Sequence, residues 1–345
     1  MNFQNDRYTL RFAEPSDDAG IRAIFESGSF QGGISVQYLR NPSPYASFCA
    51  DGERNHIMVV IDNSNGVTAA VGGAVVRTEY VNGKEELCAY LTGLKIHFDY
   101  RKRIGFIAKA YQFLREHIAD CTYCYTTILD DNAEAIALLE KPHRNMPKYH
   151  YLGHYTTYCF HGGKEILSLE TNHTEGFGAL LQSHFAKQSH TPVAYDCKGF
   201  GDTTFFCLRE QGEIIACCFV CDQQAYKQYK LCSYGGMYRV LSKLPTKLLG
   251  YPAFPKAGHC IHYGVVSYLY IRNQDPKLCS DFLRTVAAKT DFALLLWGGF
   301  ENNPLCKALD RMKTVHYGSR LYSVVWGDDH PQIPDGVLGI EAALL

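Results

Sequence analysis

The stretch from Leu91 to Ile107, LTGLKIHFDYRKRIGFI, holds the side chains best spaced to do chemistry. Its centre is a basic turn, Arg101-Lys102-Arg103, followed by Ile104-Gly105-Phe106 and an apolar run with helical spacing through Ala110, Phe113 and Leu114. The first turn of a helix carries backbone N–H groups without internal partners, and its dipole favours negative charge. Cations placed just before it add charge-assisted bonds to phosphate, and Gly105 lets a ligand approach the backbone closely. The chemistry these residues suggest is the holding of a phosphorylated ligand, although a solvated strand-to-helix connection uses the same residue types. Metal or thiol chemistry is the other option, at the C-x-x-C spacings Cys121–Cys124 and Cys218–Cys221. Both spacings lie in apolar, aromatic stretches that read as strands, where residues three apart point to opposite faces. That geometry opposes joint ligation, and no metal is expected.

The elements that position the turn follow from the pattern of apolar residues. Residues 8–12 alternate as a short strand, and Pro15 with Ser16-Asp17-Asp18 starts a helix carrying Ile21, Ile24 and Phe25. Residues 27–47, rich in Gly, Ser and Pro, read as a loop. Strands over 56–61 and 67–78 are joined by Asp62-Asn63-Ser64-Asn65-Gly66, and Val81-Asn82-Gly83-Lys84 turns into a strand ending at Ile96. A helix over 104–118, a strand over 122–129, a helix opening at Asn132 and an aromatic strand over 149–160 complete this unit. The rest reads as a diverged repeat: a helix and approach loop within 173–191, strands at 204–209, 214–220 and 264–271, and a helix from Pro276 to Ala288. Strands at 292–297 and 315–326 close it. The boundary falls near residue 162, dividing the chain into 1–162 and 163–345.

Within that order, LKIHFDYRKRIG resembles the acetyl-CoA motif of the GCN5-related N-acetyltransferases, the GNAT superfamily. There a strand Leu-x-Val-x-Pro-x-Tyr-Arg leads into Arg/Gln-x-x-Gly-x-Gly/Ala and a helix. Arg101 falls at the family's first basic residue and Gly105 on its central or last Gly, while Phe98 replaces the usual Pro and Ile107 stands where Gly or Ala is expected. One loop residue is missing. The resemblance covers residues 8 to 160. It implies an α/β fold (α+β by some schemes): two tandem GNAT-like domains, each a mixed, largely antiparallel sheet with flanking helices. It also implies that the strands at 91–96 and 122–129 splay apart around acyl-CoA. Leu94, Lys95 and Ile96 would pair with its arm; Arg101, Lys102, Arg103, Ile104, Gly105 and Phe106 would cradle its pyrophosphate; Asn132 would touch the pantetheine. Asn132 is equally a good N-cap. The corresponding loop of the repeat, Arg272-Asn273-Gln274-Asp275-Pro276-Lys277, has no Gly and is a poor cradle, so the second half is expected to be structural or substrate-shaping.

The implied reaction moves an acetyl group from acetyl-CoA to an amine by direct attack in a ternary complex. The thioester is already activated, so the enzyme must supply a neutral, oriented amine and a proton for the leaving thiolate. Family members often place a Glu base on the strand before the turn. Counting back six residues from Ile96 reaches Tyr90, with Thr92 on the same face and Glu85 and Glu86 at the strand start as alternatives. A phenol with a pKa of about 10 is a poor base at neutral pH but can order a water relay. The family's Tyr seven positions after the Asn is Leu139 here, leaving Tyr149, His150 or Tyr151 to stand in. The alternative reading is a non-catalytic GNAT-fold binding or regulatory protein. An aminoacyl-tRNA-dependent peptidyl transferase is disfavoured by the near-neutral charge.

Composition narrows the classes. Lys and Arg number 34 against 35 Asp and Glu, a net charge of -1, which gives no global pull toward nucleic acid or acidic membranes. No apolar run approaches the ~20 residues of a membrane span. The polar start MNFQNDRYTLRF lacks the apolar centre of a signal peptide, and fourteen Cys in so long a chain read as reduced thiols in a cytoplasmic protein. The partner expected is a small-molecule amine or a peptide, with no nucleic acid and no membrane; the oligomeric state is not readable.

Overall fold

The computed structural model describes the chain apart from residues 1–2, 5–6, 29–32, 102–104, 163, 245, 247–250, 253, 328 and 332. Turn chemistry sets its long hairpins. Asn82 and Gly83 (φ 51° and 76°) fold strand Val67–Val81 back onto Lys84–Ile96, and Gln211 and Gly212 (φ 52° and 84°) do the same between Asp202–Glu210 and Glu213–Asp222. Tight two-residue hairpins need positive φ at both central positions, which Asn and Gly supply.

These hairpins join one 14-stranded sheet. From one edge its main strands run Tyr8–Phe12, Arg54–Asp62, Val67–Val81, Lys84–Ile96, Tyr123–Leu129, Val315–Val325, Lys148–Phe160, Leu294–Phe300, Tyr263–Ile271, Glu213–Asp222 and Asp202–Glu210. All neighbours are antiparallel except two pairs, Lys84–Ile96 with Tyr123–Leu129 and Tyr263–Ile271 with Leu294–Phe300. The two halves of the chain are interleaved at the centre. Val315–Val325, from the end of the chain, pairs with Tyr123–Leu129, and Lys148–Phe160 pairs with Leu294–Phe300. The two exchanged strands pair with each other along their lengths, from Val315↔Cys159 to Val325↔Lys148.

Helices cover both faces. On one, Gly105–His117 buries Phe106, Ile107, Tyr111 and Leu114 against Met58, Val60, Ala70 and Leu91. On the other, Asp18–Glu26 and Pro44–Ala50 bury Ile21, Ile24, Phe25 and Phe48 against Ile57, Val59 and Val71. Each such side chain contributes about 1.5–3 kcal/mol when fully buried. In the second half, Pro276–Lys289 packs Phe282, Leu283 and Val286 into a separate core.

The loop expected at 27–47 is a correction. It contains strand Ile34–Leu39 and the start of helix Pro44–Ala50, whose N-cap Ser43 accepts from Ala46 N. The strand's partner is Gln228–Tyr234, far along the chain, in a separate two-stranded ribbon joining the halves. No local hairpin announces a strand of that kind. All fourteen cysteines are free thiols, and Cys218 and Cys221 enter different cores on opposite faces of their strand. No described helix is long and apolar enough to cross a membrane.

Candidate active site

The parallel pairing of Lys84–Ile96 with Tyr123–Leu129 lasts only from Cys88↔Tyr123 to Tyr90↔Tyr125. Beyond it Thr126 Oγ1 donates to Leu91 O at 2.7 Å, and the strands part. The separation is fixed by a β-bulge: Gly73 faces Thr92 and Val71 faces Lys95, so Gly93 and Leu94 together oppose Gly72. Gly93 takes φ 71°, and a Cβ there would sit 2.8 Å from the ring of Phe48. Glycine is needed on both counts.

The gap opens into a cavity of about 880 Å³ lined from both faces of the sheet. Phe106, Ala110, Tyr111 and Tyr149 line it on the side of helix Gly105–His117. Phe25, Tyr38, Arg40 and Tyr90 line it on the opposite side. The edge of residues 92–96 that faces Tyr123–Leu129 has no strand partner among the described residues, which leaves backbone groups available to an extended ligand.

Tyr90 is 5 % exposed, and its hydroxyl lies 2.7 Å from Thr127 Oγ1 across the gap. Burial pushes its pKa up, the Thr127 bond opposing. Thr92 lines the same cavity. Glu86 does not join them: its carboxylate accepts from Thr122 Oγ1 at 2.8 Å at the closed end of the strand pair, and Glu85 is exposed. Leu94, Lys95, Ile96, Arg101, Phe106 and Asn132 all line the cavity. Arg101 is exposed, with Nη1 3.7 Å from Glu134 Oε2 and its guanidinium over the Phe98 ring. Gly105 begins its helix in open space, since a Cβ there meets nothing within 4 Å. Lys102, Arg103 and Ile104 lie outside the described residues. Asn132 caps helix Ala133–Leu139, accepting from Ala135 N at 3.2 Å. Among the stand-ins for the family's acid, Tyr149 lines the cavity with its hydroxyl 2.6 Å from that of Tyr111. His150 and Tyr151 are not in the lining.

Sequence reasoning missed several polar groups of the lining, Thr127, Tyr38, Arg40 and the Lys95 ammonium among them. Lys95 enters by its ammonium as well as its backbone: Nζ donates to Phe25 O at 2.7 Å, and burial, helped by Arg101, brings its pKa down to about 8. Tyr38 and Arg40 come from the overlooked strand and the residue just beyond it. The alternation of Val36, Tyr38 and Arg40 was the available signal.

The second parallel pair also parts after three residues, beyond Val265↔Leu296, but its gap is filled. The backbone N–H of Tyr268 donates to Glu341 Oε1 at 2.9 Å, and Ala343 and Leu344 pack in the same core as Tyr268 and Leu296. Burial pushes the Glu341 carboxyl up to about 7. Asp275 caps helix Pro276–Lys289 by accepting from Leu278 N at 2.8 Å, placing a carboxylate where the first half has a basic turn.

No family model and no curated protein matches the sequence. Solved structures match the fold over nearly all of the chain. Saccharomyces cerevisiae N-myristoyltransferase with bound myristoyl-CoA superposes with a TM-score of 0.60 at 9% identity, over 98% of this chain and 90% of that one. A GCN5-related N-acetyltransferase from Sphaerobacter thermophilus gives 0.53 at 11% identity, over 95% and 99%. Another from Anabaena variabilis gives 0.51 at 10%, over 92% and 72%. The likeness is one of fold.

Proposed function

We propose that this chain, with the fold of GCN5-related N-acetyltransferases and N-myristoyltransferases, is an acyl-CoA-dependent N-acyltransferase that moves an acetyl group to an amine by direct attack in a ternary complex. The observation that carries the reading is the gap lined from both faces: an open strand edge leads from a helix N-terminus on one face to a buried polar chamber on the other. In this reading, Leu94, Lys95 and Ile96 offer backbone groups to the pantetheine arm. Arg101 to Phe106 hold the pyrophosphate, and Asn132 orients the arm from the opposite strand. Residues 1–162 then carry the cofactor site and line the acceptor side as well, and 163–345 buttress that side through the ribbon of Gln228–Tyr234 with Ile34–Leu39 and through Lys227.

Acetyl-CoA supplies an activated thioester, so the protein's tasks are orientation and proton transfer. Tyr90 and Thr127 form a hydroxyl pair across the gap that can order the water taking the amine's proton. Tyr149, paired with Tyr111, is the hydroxyl within the cavity for the departing thiolate. The raised pKa of Tyr90 favours a relay through water over a phenolate base. Two features favour the non-catalytic alternative: the Tyr90 hydroxyl is already engaged by Thr127, and Leu139 occupies the place of the family's acid. Calorimetric titration with acetyl-CoA, followed by thiol release over a panel of amines, separates the two. Binding with turnover supports the enzyme; binding with thiol release no faster than buffer supports the binding protein; absence of binding removes the enzyme and leaves a regulatory fold that has lost CoA affinity.

A further inference from the structure

The chamber on the acceptor side is bordered by a buried ion network that does not balance. Arg40 Nη1 donates to Asp51 Oδ2 at 2.7 Å, and Lys227 Nζ lies 2.8 Å from the other oxygen of the same carboxylate. Arg77 Nε is 3.2 Å from Glu79 Oε1, and Glu79 also accepts from Tyr125 and meets His190 Nδ1 at 2.9 Å. Leaving His190 aside, the described residues of this network hold three cations and two carboxylates, one cation more than the carboxylates can match. Burial brings the Lys227 ammonium down to about 8, with the Asp51 carboxylate opposing that shift.

The three cations are not equivalent. Arg77 donates to Leu344 O at 3.1 Å, and Lys227 donates to Ala343 O at 2.8 Å, so both are absorbed by the chain's own carbonyl groups. Only Arg40 lines the cavity. It is 2 % exposed, both of its hydrogen bonds leave from Nη1, and its buried Nε has no partner. Its guanidinium stacks 3.9 Å from the Phe48 ring, the same ring that abuts the Gly93 bulge. A buried charge persists when paired and hydrogen-bonded; a partly satisfied guanidinium beside a cavity invites an anion.

We infer that the amine acceptor carries a carboxylate, which Arg40 binds from the acceptor side of the gap, making free amino acids and related amino-carboxylates the preferred substrate class. Polyamines, which bring several positive charges and no carboxylate, leave Arg40 without a partner.

This inference rests on the acyl-transfer reading, and its test separates the two. The full chain with acetyl-CoA is offered L-alanine against L-alaninamide, β-alanine against its amide, and spermidine, with thiol release scaled to the neutral-amine fraction. The acids should exceed their amides in kcat/KM by at least about tenfold, the scale of one hydrogen bond to a charged group. Arg40→Gln should erase the preference while leaving acetyl-CoA affinity unchanged; where that variant fails to fold, Arg40→Lys should weaken it. Amides or spermidine reacting as well as the acids in the parent protein overturns the inference. If no amine of either kind releases thiol, the transferase reading fails, and the pairs are compared instead by the rise they give in the melting temperature of the acetyl-CoA-loaded parent. A larger rise with the acids upholds the carboxylate site, and equal rises remove it.

Discussion

In the first half of the chain, strands Lys84–Ile96 and Tyr123–Leu129 part after Tyr90 and Tyr125; in the second, Tyr263–Ile271 and Leu294–Phe300 part after Val265 and Leu296. A left-handed bulge residue follows three positions later in both, Gly93 at φ 71° and Tyr268 at φ 50°. From there the two gaps diverge. At Gly93 there is no side chain, and the gap stays open. At Tyr268 a ring enters the core among Phe177, Phe185, Phe200 and Phe219, accepting roughly 1–2 kcal/mol of left-handed strain. Glu341 then takes the backbone N–H that the parted edge presents. The difference teaches that parting two strands creates a vacancy in either half, and that side-chain size at the bulge, together with what the rest of the chain lays against the edge, decides whether the vacancy stays open or the protein fills it.

Breaking the hydroxyl pair of the open gap should have the largest effect. Tyr90→Phe keeps the ring against Tyr125 and removes only the bond to Thr127. Turnover should fall by ~10²–10⁴-fold if the pair relays the proton, with acetyl-CoA affinity preserved. Normal turnover in steady-state thiol release would move the relay elsewhere. The filled gap is probed next through Glu341. Its carboxyl titrates near 7 when folded against 4.5 ordinarily, so the folded state binds the extra proton between those values. Stability from this group is full below pH 4.5, declines as pH rises to about 7 and is level above. Glu341→Gln keeps an acceptor for Tyr268 and should remove that decline, worth up to roughly 3 kcal/mol, in denaturant titrations at several pH values. A pH profile identical to the parent's would place the titration in another group.

Arg101→Ala tests the contrast at the helix starts. It should weaken acetyl-CoA binding by about 1–3 kcal/mol, the range for charge-assisted hydrogen bonds. Calorimetry showing no change would remove the pyrophosphate from this turn. The smallest effect is expected opposite it. Changing Arg272 and Lys277 together, on a turn already capped by Asp275, should leave both the affinity for acetyl-CoA and a stoichiometry of one per chain unaltered. A stoichiometry of two in the parent would show that the second gap also accepts ligand.

What the sequence disclosed divides along the same line as local and distant information. Hairpins at Asn82-Gly83 and Gln211-Gly212 and the amphipathic helices at Gly105–His117 and Pro276–Lys289 follow from short-range pattern, whereas the first parallel pair came from the resemblance and the second was not foreseen. The cavity lining near Leu94–Ile96 and Asn132 was reached through a motif that spans few residues. Ile34–Leu39 was missed because its strand partner, Gln228–Tyr234, is distant, and with it went Tyr38 and Arg40. Glu86 misled because a carboxylate on the right strand says nothing about which end of that strand meets the gap; Thr122 holds it at the closed end. The exchange of Val315–Val325 and Lys148–Phe160 leaves no local trace either, since each strand alternates as it would in its own half.

That exchange has a consequence during synthesis. The outer edge of Tyr123–Leu129 waits for Val315–Val325, with Ser319 opposite Leu129, so 319 − 129 = 190 residues must be made before the edge is covered. At a ribosomal rate of ~5–20 residues per second that is ~10–40 s. Throughout this interval the nascent first half presents an unpaired edge carrying Tyr125 and Ile128, the kind of surface on which chains associate wrongly. The open gap is laid down early in translation, while the sheet that makes it rigid is sealed only by a strand made some 190 residues later.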